Sequence, residues 1–329
     1  MNLSKRGVRK SFALSIVTKP AGSREVVSPH VVVRVRKVEV MVDAETLLLI
    51  DGGLSTALEE RGHTVGGVLW TGELLLADPD AVVTAHQNFV DAGADIIITG
   101  SYQLSFDGGR RAGWTDEETT RALRNSTIAA RMAANEGTLV AASIGPFGAS
   151  LADGSEFRGK YGVTTARLRD FHAARLDVLL DTEPDLLAIE TQPDIDEIAV
   201  VIDLLRERGA DLPFWVTSTV SEPGRIAGGA PWAELVELVE QSDTAIGVGI
   251  NCSHVDVITD TLVEAESELP YVVYPNHGME WDAVNDRWIG SIQDITDRHL
   301  ADWATAGVRL VGGCCGFGAK AISDLRARI

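Results

Sequence analysis

The sequence has 329 residues, of which 45% are hydrophobic and 23% are charged, which is ordinary for a globular protein. The net charge of −19 is uneven: residues 1–40 carry nine Lys and Arg against two acids, and the remaining residues carry 20 against 46. So acidic a body argues against nucleic acid as a partner, because binding phosphates requires clustered Lys and Arg. No apolar run approaches the roughly 20 residues that span a bilayer. We therefore expect a soluble protein with no nucleic acid or membrane partner.

Residues 1–40 differ from the rest of the chain, being basic, rich in Val and Ser, and without helical periodicity. Three interpretations remain open: a disordered tail, a targeting peptide, or an upstream start codon with Met41 as the true first residue. We predict that residues 41–329 form one domain, which contains all the chemistry.

From residue 47 onward, a short apolar run, a loop and a longer helical stretch repeat eight times. The runs are continuous rather than alternating, as a parallel sheet buried on both faces requires. The predicted strands are 47–50, 95–99, 139–143, 185–190, 214–218, 245–250, 271–274 and 308–311. Eight such units predict a single-domain (β/α)8 barrel. A doubly wound open sheet is disfavoured, because the loop that starts at Asp51 lacks the glycine spacing of dinucleotide-binding turns.

The segments between the runs show helical patterning, for example at 80–92 and 165–180. Four glycines stand just before predicted strands, where glycine supplies the left-handed conformation that ends a helix; they are Gly93, Gly137, Gly209 and Gly307. In a barrel of this kind the chemistry lies at the carboxyl ends of the strands. The residues that follow each run are therefore the candidate functional residues.

All three cysteines of the chain follow predicted strands: Cys252 follows the sixth, and Cys314 and Cys315 follow the eighth. One strand separates these two in a closed barrel, so the three thiols come within reach of one ion. Three thiolates with an open fourth position describe a catalytic zinc site, and thiolate softness favours Zn²⁺ over magnesium or calcium. The alternative is that these cysteines are small buried hydrophobic residues. An odd number with two adjacent members is a poor disulfide framework, so we expect the cytoplasm.

Polar residues follow the other predicted strands, and they suit an amino-acid substrate. A carboxylate such as Asp51 or Glu190 can hold an ammonium group, and a hydroxyl or amide such as that of Ser101 or Asn276 can hold a carboxylate. For each acid, the alternative is a helix cap or a hydrogen bond to a loop.

Several stretches together form a more specific pattern. In chain order they are LLIDGGLSTALEERG, AGADIIITGSYQLS, ASIGPFGASLADGSEF, ETQPDIDE, GINCS, YPNHG and VGGCC. From about residue 45 to its end, the chain resembles the homocysteine S-methyltransferases. The resemblance implies a barrel whose zinc is held by the three cysteines. It also implies that Asp51 and Glu190 hold the homocysteine amino group, and that Asn276 and the SYQ stretch with Ser101 belong to the mouth of the barrel.

Two departures from the family pattern lie beside the implied metal. The stretch NCSHVDVI lacks the proline that often follows GINC, and GGCC continues as GFGA rather than RTTP. Both departures concern the identity of the methyl donor more than the metal.

The resemblance implies methyl transfer to the thiolate of L-homocysteine, giving methionine, and so a place in methionine biosynthesis. A small sulfonium donor, S-methylmethionine or S-adenosylmethionine, is expected. This expectation rests on the short stretch after Cys315, in which we expect neither a folate or cobalamin module nor the extended C-terminal segment of the betaine-dependent branch.

Other functions remain open. The acceptor is homocysteine or a different thiol or selenol such as selenocysteine, and a non-catalytic barrel that binds zinc or a thiol is a further alternative. A hydrolytic zinc enzyme is disfavoured, because it normally uses His and carboxylate ligands. The oligomeric state does not follow from the sequence.

Overall fold

The computed structural model describes residues 31–35, 38–42, 47–282, 287–290 and 293–329. Eight parallel strands form one sheet in which each strand pairs with the next along the chain, and the eighth pairs with the first. A bridge between Ile50 and Ile96 joins the first strand to the second and closes the sheet. The strands are β1 (Leu48–Leu49), β2 (Ile96–Ile98), β3 (Leu139–Ile144), β4 (Leu186–Ile189), β5 (Phe214–Ser218), β6 (Ala245–Asn251), β7 (Tyr271–Tyr274) and β8 (Val308–Val311). The predicted barrel is confirmed, and the doubly wound alternative is wrong because the strand order never reverses.

Helices connect the strands and cover the outside of the barrel. They are α1 (Leu54–Glu59), α2 (Leu74–Ala77), α3 (Pro79–Asp91), α4 (Phe106–Arg111), α5 (Asp116–Ala133), α6 (Thr165–Asp181), α7 (Ile195–Glu207), α8 (Trp232–Glu240), α9 (Val255–Leu262), α10 (Asp297–Ala306) and α11 (Ala319–Arg326). The predicted helices at 80–92 and 165–180 correspond to α3 and α6. The four glycines before the strands have φ values of 97°, 113°, 59° and 103°, as the left-handed conformation requires.

The interior of the barrel is filled rather than open. Side chains from strands all around the barrel meet there, and the largest are Trp215 on β5 and Tyr274 on β7, both almost fully buried. The indole Nε1 of Trp215 donates to the Tyr274 hydroxyl at 3.2 Å. On β6, a Cβ added to Gly249 would stand 1.8 Å from the carbonyl oxygen of Val272, so only glycine fits there. The floor of the barrel is therefore closed, and the strand ends are left for chemistry.

The chain before the barrel is described in part. Val31–Val35 and Val38–Val42 pair as an antiparallel hairpin. The predicted boundary after residue 40 falls inside its second strand, and residues 1–30 lie outside the described part of the chain. Within the described residues, no helix has the length and apolar character needed to cross a membrane.

Candidate metal and substrate site

The three cysteine sulfurs lie together at the mouth of the barrel, within 4.8 Å of one another. The Cys252 sulfur is 3.2 Å from that of Cys314 and 3.9 Å from that of Cys315. A tetrahedral zinc ion, with zinc–sulfur bonds of about 2.3 Å, holds its sulfur ligands about 3.8 Å apart. The second distance matches this separation, and the first would have to open by about 0.6 Å. This donor set therefore fits one tetrahedral ion.

Backbone contacts with the end of β7 bring the cysteines together. The amide of Cys252 donates to the carbonyl of Tyr274 at 3.1 Å, and that of Cys314 donates to the carbonyl of Pro275 at 2.7 Å. The ends of β6 and β8 are thus hydrogen-bonded to two consecutive residues at the end of β7, which lies between them in the sheet. Cys252 has a φ of +49°, which is uncommon for a residue with a Cβ and typical of functional sites.

The pKa values of the cysteine thiols indicate that the cluster is suited to binding a cation. The pKa of the Cys315 thiol is lowered well below its usual value, because the thiols of Cys252 and Cys314 hydrogen-bond to its sulfur. The pKa of Cys314 is raised in turn by its hydrogen bonds to Cys252 and Cys315 and by burial. The protein alone therefore favours a single thiolate here, and a divalent cation would stabilise all three.

Two buried carboxyl groups, Asp51 after β1 and Glu190 after β4, are only 2% and 7% exposed. The Glu190 carboxylate accepts hydrogen bonds from the hydroxyls of Ser143 and Tyr274, and burial raises its pKa to about 7. The Asp51 carboxylate accepts the amide of Ile98 at 2.9 Å, and its pKa is raised well above its usual value by burial and then by the charge of Glu190.

No Lys, Arg or His among the described residues forms an ion pair with Asp51 or Glu190. Buried carboxylates are normally paired with a cation or coordinate a metal. The arrangement therefore suits a cation brought by a ligand.

The other two residues predicted to contact substrate are engaged with the protein. The Ser101 hydroxyl donates to the carbonyl of Ser143 and hydrogen-bonds to the Thr99 hydroxyl, both at 2.8 Å. The side-chain amide of Asn276 lies 3.5 Å from the carbonyl oxygen of Cys252 and accepts the amide of Gly278. Both side chains brace the strand ends, and their contact with substrate stays a prediction.

Sequence reasoning missed the residues that hold the Glu190 carboxylate. Ser143 ends a predicted strand, and its position offered a signal. Tyr274 is the last residue of another predicted strand. It gave no signal, because an aromatic residue at such a position is normally interpreted as part of the hydrophobic core.

Comparisons with known proteins identify the family of this chain. The family model described as homocysteine S-methyltransferase matches residues 48–329. The homocysteine S-methyltransferase of Escherichia coli is 35% identical over 88% of this chain and 97% of its own length, and homocysteine S-methyltransferase 1 of Brassica oleracea is 35% identical over 81% and 88%. The crystal structure of the homocysteine methyltransferase MmuM from Escherichia coli in its metallated form superposes with a TM-score of 0.78 at 32% identity, covering 87% of this chain and 97% of that one. The chain belongs to the homocysteine S-methyltransferase family.

We expect the cysteine cluster to bind one Co²⁺ ion per chain, with thiolate-to-metal charge-transfer absorption in the near ultraviolet. Replacing Cys252, Cys314 or Cys315 with Ala removes a ligand and should abolish stoichiometric binding at micromolar metal. Titration followed by absorbance measures both. The chain has no fourth cysteine, so an unchanged band in all three variants would contradict the site.

Proposed function

We propose that this protein transfers a methyl group from a small sulfonium compound to the thiolate of L-homocysteine, giving methionine, with Zn²⁺ held by the three cysteines. The observation that carries the proposal is the placement of three clustered thiols beside two buried carboxyls that have no cationic partner in the part of the chain that the structure describes. The cluster of thiols suits the sulfur of a ligand, and the two carboxyls suit the ammonium of a ligand. Homocysteine carries both groups on one short chain.

The choice of zinc rests on the chemistry of the donor set. Three soft sulfur ligands favour zinc over hard cations, and three protein ligands are the usual number at a catalytic zinc. When bound, zinc supplies the Lewis acidity that lowers the pKa of the acceptor thiol, which is ~8.5 for a free thiol.

The residues of the chain provide orientation. Asp51 and Glu190 hold the ammonium group of homocysteine, and Ser143 and Tyr274 fix the Glu190 carboxylate through one hydrogen bond to each oxygen. The acceptor sulfur is thereby directed toward the cysteines. Such positioning contributes several kcal/mol to a reaction between two bound substrates.

The reaction is a direct displacement at the methyl carbon. The bond from the acceptor sulfur to the methyl group forms as the bond from the sulfonium sulfur breaks, and its electron pair neutralises the positive sulfur. The thiol proton is released beforehand. Because charge is neutralised in this step, a barrel mouth that excludes water favours the transition state. The packed side chains of Trp215 and Tyr274 in the barrel interior keep water out from that side.

A selenol acceptor is the second candidate. A selenocysteine methyltransferase of Astragalus bisulcatus is 34% identical over 81% of this chain, which is close to the identity of the homocysteine enzymes. Sequence identity therefore does not separate the two acceptors, and the acceptor must be measured.

We expect zinc-loaded protein to form methionine from homocysteine with S-methylmethionine or S-adenosylmethionine and not with betaine. Mass spectrometry of the product measures this, with each donor tested against both homocysteine and selenocysteine. Removal of zinc by a chelator should stop the reaction, and readdition should restore it. Methyl transfer that is indifferent to chelation, or no transfer from either sulfonium donor, would contradict the proposal.

The ammonium contact predicts a specific pH dependence. The Glu190 carboxyl, with a pKa of about 7, is protonated at lower pH and then loses the charge that attracts the ammonium. We expect kcat/KM for homocysteine, divided by kcat/KM for 4-mercaptobutyrate, to fall as the pH drops from 8 to 6. The second acceptor lacks the amino group, so the ratio cancels effects on the thiol and the metal.

In Glu190→Gln this ratio should be low and nearly flat with pH. Glu136→Gln, the same change at an exposed position before β3, should behave as wild type. A wild-type ratio that does not vary with pH would argue against Glu190 as the ammonium contact.

A further inference from the structure

Two buried polar groups near the cysteines keep unused hydrogen-bonding capacity among the described residues: the hydroxyl of Tyr102 and the Oε2 atom of Glu156. The Thr191 hydroxyl lies close to that of Tyr102. Because it accepts the Asn251 side-chain amide at 2.8 Å, its own proton can go to the Tyr102 oxygen, which leaves the Tyr102 proton available to a ligand. Buried polar atoms without partners are rare in folded proteins, and they often indicate a ligand or an ordered water.

Both residues lie in loops at the carboxyl ends of the strands, which is the end of the barrel that carries the cysteines. Tyr102 lies in the loop after β2, and Glu156 lies in a short 3-10 turn, Ser155–Phe157, in the loop after β3. The charges of Glu156 and Cys252 both act on the Tyr102 hydroxyl, and the charge of Cys315 acts on the Glu156 carboxyl. The pair therefore stands beside the cluster, on loops different from those that carry Asp51 and Glu190.

A buried guanidinium holds the two loops together. Arg175 on α6, 1% exposed, donates to the carbonyls of Tyr102 at 3.5 Å and Leu104 at 3.4 Å in the first loop, and to the carbonyl of Gly145 in the second. The loops also touch directly, since a Cβ on Gly145 would stand 2.6 Å from the Tyr102 ring.

A second buried acid strengthens this support. The Glu197 carboxylate on α7 accepts the amide of Phe147 at 2.5 Å and hydrogen-bonds to the imidazole of His172 at 2.7 Å. The His172 ring in turn lies 3.2 Å from the Arg175 guanidinium. The position of the Tyr102 backbone and of the start of the second loop is thus set before any ligand arrives.

The two atoms are chemically complementary to an amino-acid head group. The Tyr102 hydroxyl stays protonated, because burial raises its pKa, and it can donate to a carboxylate. The Glu156 carboxylate can accept from an ammonium. An α-amino acid carries a carboxylate and an ammonium on one carbon, whereas betaine carries no N–H group.

We propose that Tyr102 and Glu156 form a second head-group subsite, which binds the methyl donor as an α-amino acid. This inference rests on the proposed function, in which the donor is a sulfonium compound. With the acceptor head group at Asp51 and Glu190 and the donor head group at Tyr102 and Glu156, the two sulfur atoms are free to meet near the cysteines. The subsite selects amino-acid sulfonium compounds over betaine and over simple alkylsulfonium ions.

The test compares S-methylmethionine with dimethylpropylsulfonium, a donor that lacks both head-group charges. Glu156→Gln should lower the ratio of kcat/KM for the first donor to kcat/KM for the second by about tenfold or more, as expected for a lost charge-assisted hydrogen bond. Tyr102→Phe should lower it several-fold, and the KM for homocysteine should not rise in either variant. Glu136→Gln is the matched control.

A ratio that equals the wild-type ratio in both Glu156→Gln and Tyr102→Phe would overturn the inference. So would a loss confined to homocysteine binding, which would assign the two residues to the acceptor.

Equilibrium dialysis with labelled S-methylmethionine keeps this test separate from that of the proposed function. Binding by wild type that weakens about tenfold in Glu156→Gln supports the subsite even if no methionine forms, in which case the proposed function alone fails. Methionine formation with an unaltered donor ratio in the variants leaves the function standing and removes the subsite. Absence of binding by wild type, or equal binding by wild type and Glu156→Gln, also overturns the inference.

Discussion

The site depends on two backbone hydrogen bonds to consecutive carbonyls at the end of β7. The amide of Cys252 donates to Tyr274 and that of Cys314 donates to Pro275, so the ends of β6 and β8 are held on either side of the same short segment. Because the strands of a closed barrel cannot slide independently, this pairing fixes the spacing of the sulfurs. The left-handed backbone at Cys252 and the positive φ of +85° at Gly316 are local consequences of bringing the sulfurs to one point.

The electrostatics of the mouth are organised around cations that a ligand or metal must supply. Asp51 and Glu190 are removed from water, Glu156 and the three thiols are partly buried, and burial raises the pKa of each of these carboxyl groups. Burying acids without partners is unfavourable, and in this fold a divalent ion and substrate ammonium groups would offset that penalty. Arg175 and Glu197, which hydrogen-bond to the Gly145 carbonyl and to the His172 imidazole, lie behind the loops and support them.

The sequence predicted the barrel and the meeting of the cysteines well, because continuous apolar runs determine parallel strands and strand ends converge in a closed barrel. All eight predicted strands are present, although the first, second and fourth are shorter than predicted, and Ile50 forms only a single bridge that closes the sheet. The roles of polar side chains were harder to predict, since a hydroxyl or amide at a strand end can bind substrate or brace a loop equally well. Ser101 and Asn276 brace loops in this structure.

Tyr102 and Glu156 have side-chain orientations that could not be predicted from the sequence. They lie in irregular loops with no periodicity to reveal which side chains turn inward. The orientation of Tyr102 depends on Arg175, more than 70 residues further along the chain, and on the fit of Gly145 against the Tyr102 ring. Such contacts between distant segments form only in the folded chain.

The most direct test of the account is X-ray absorption at the zinc edge of the metal-loaded protein, recorded with and without L-homocysteine. We expect three sulfur ligands and one lighter ligand in the protein alone, changing to four sulfur ligands at about 2.3 Å when homocysteine is added. A coordination sphere with fewer than three sulfurs, or one that homocysteine leaves unchanged, would contradict it.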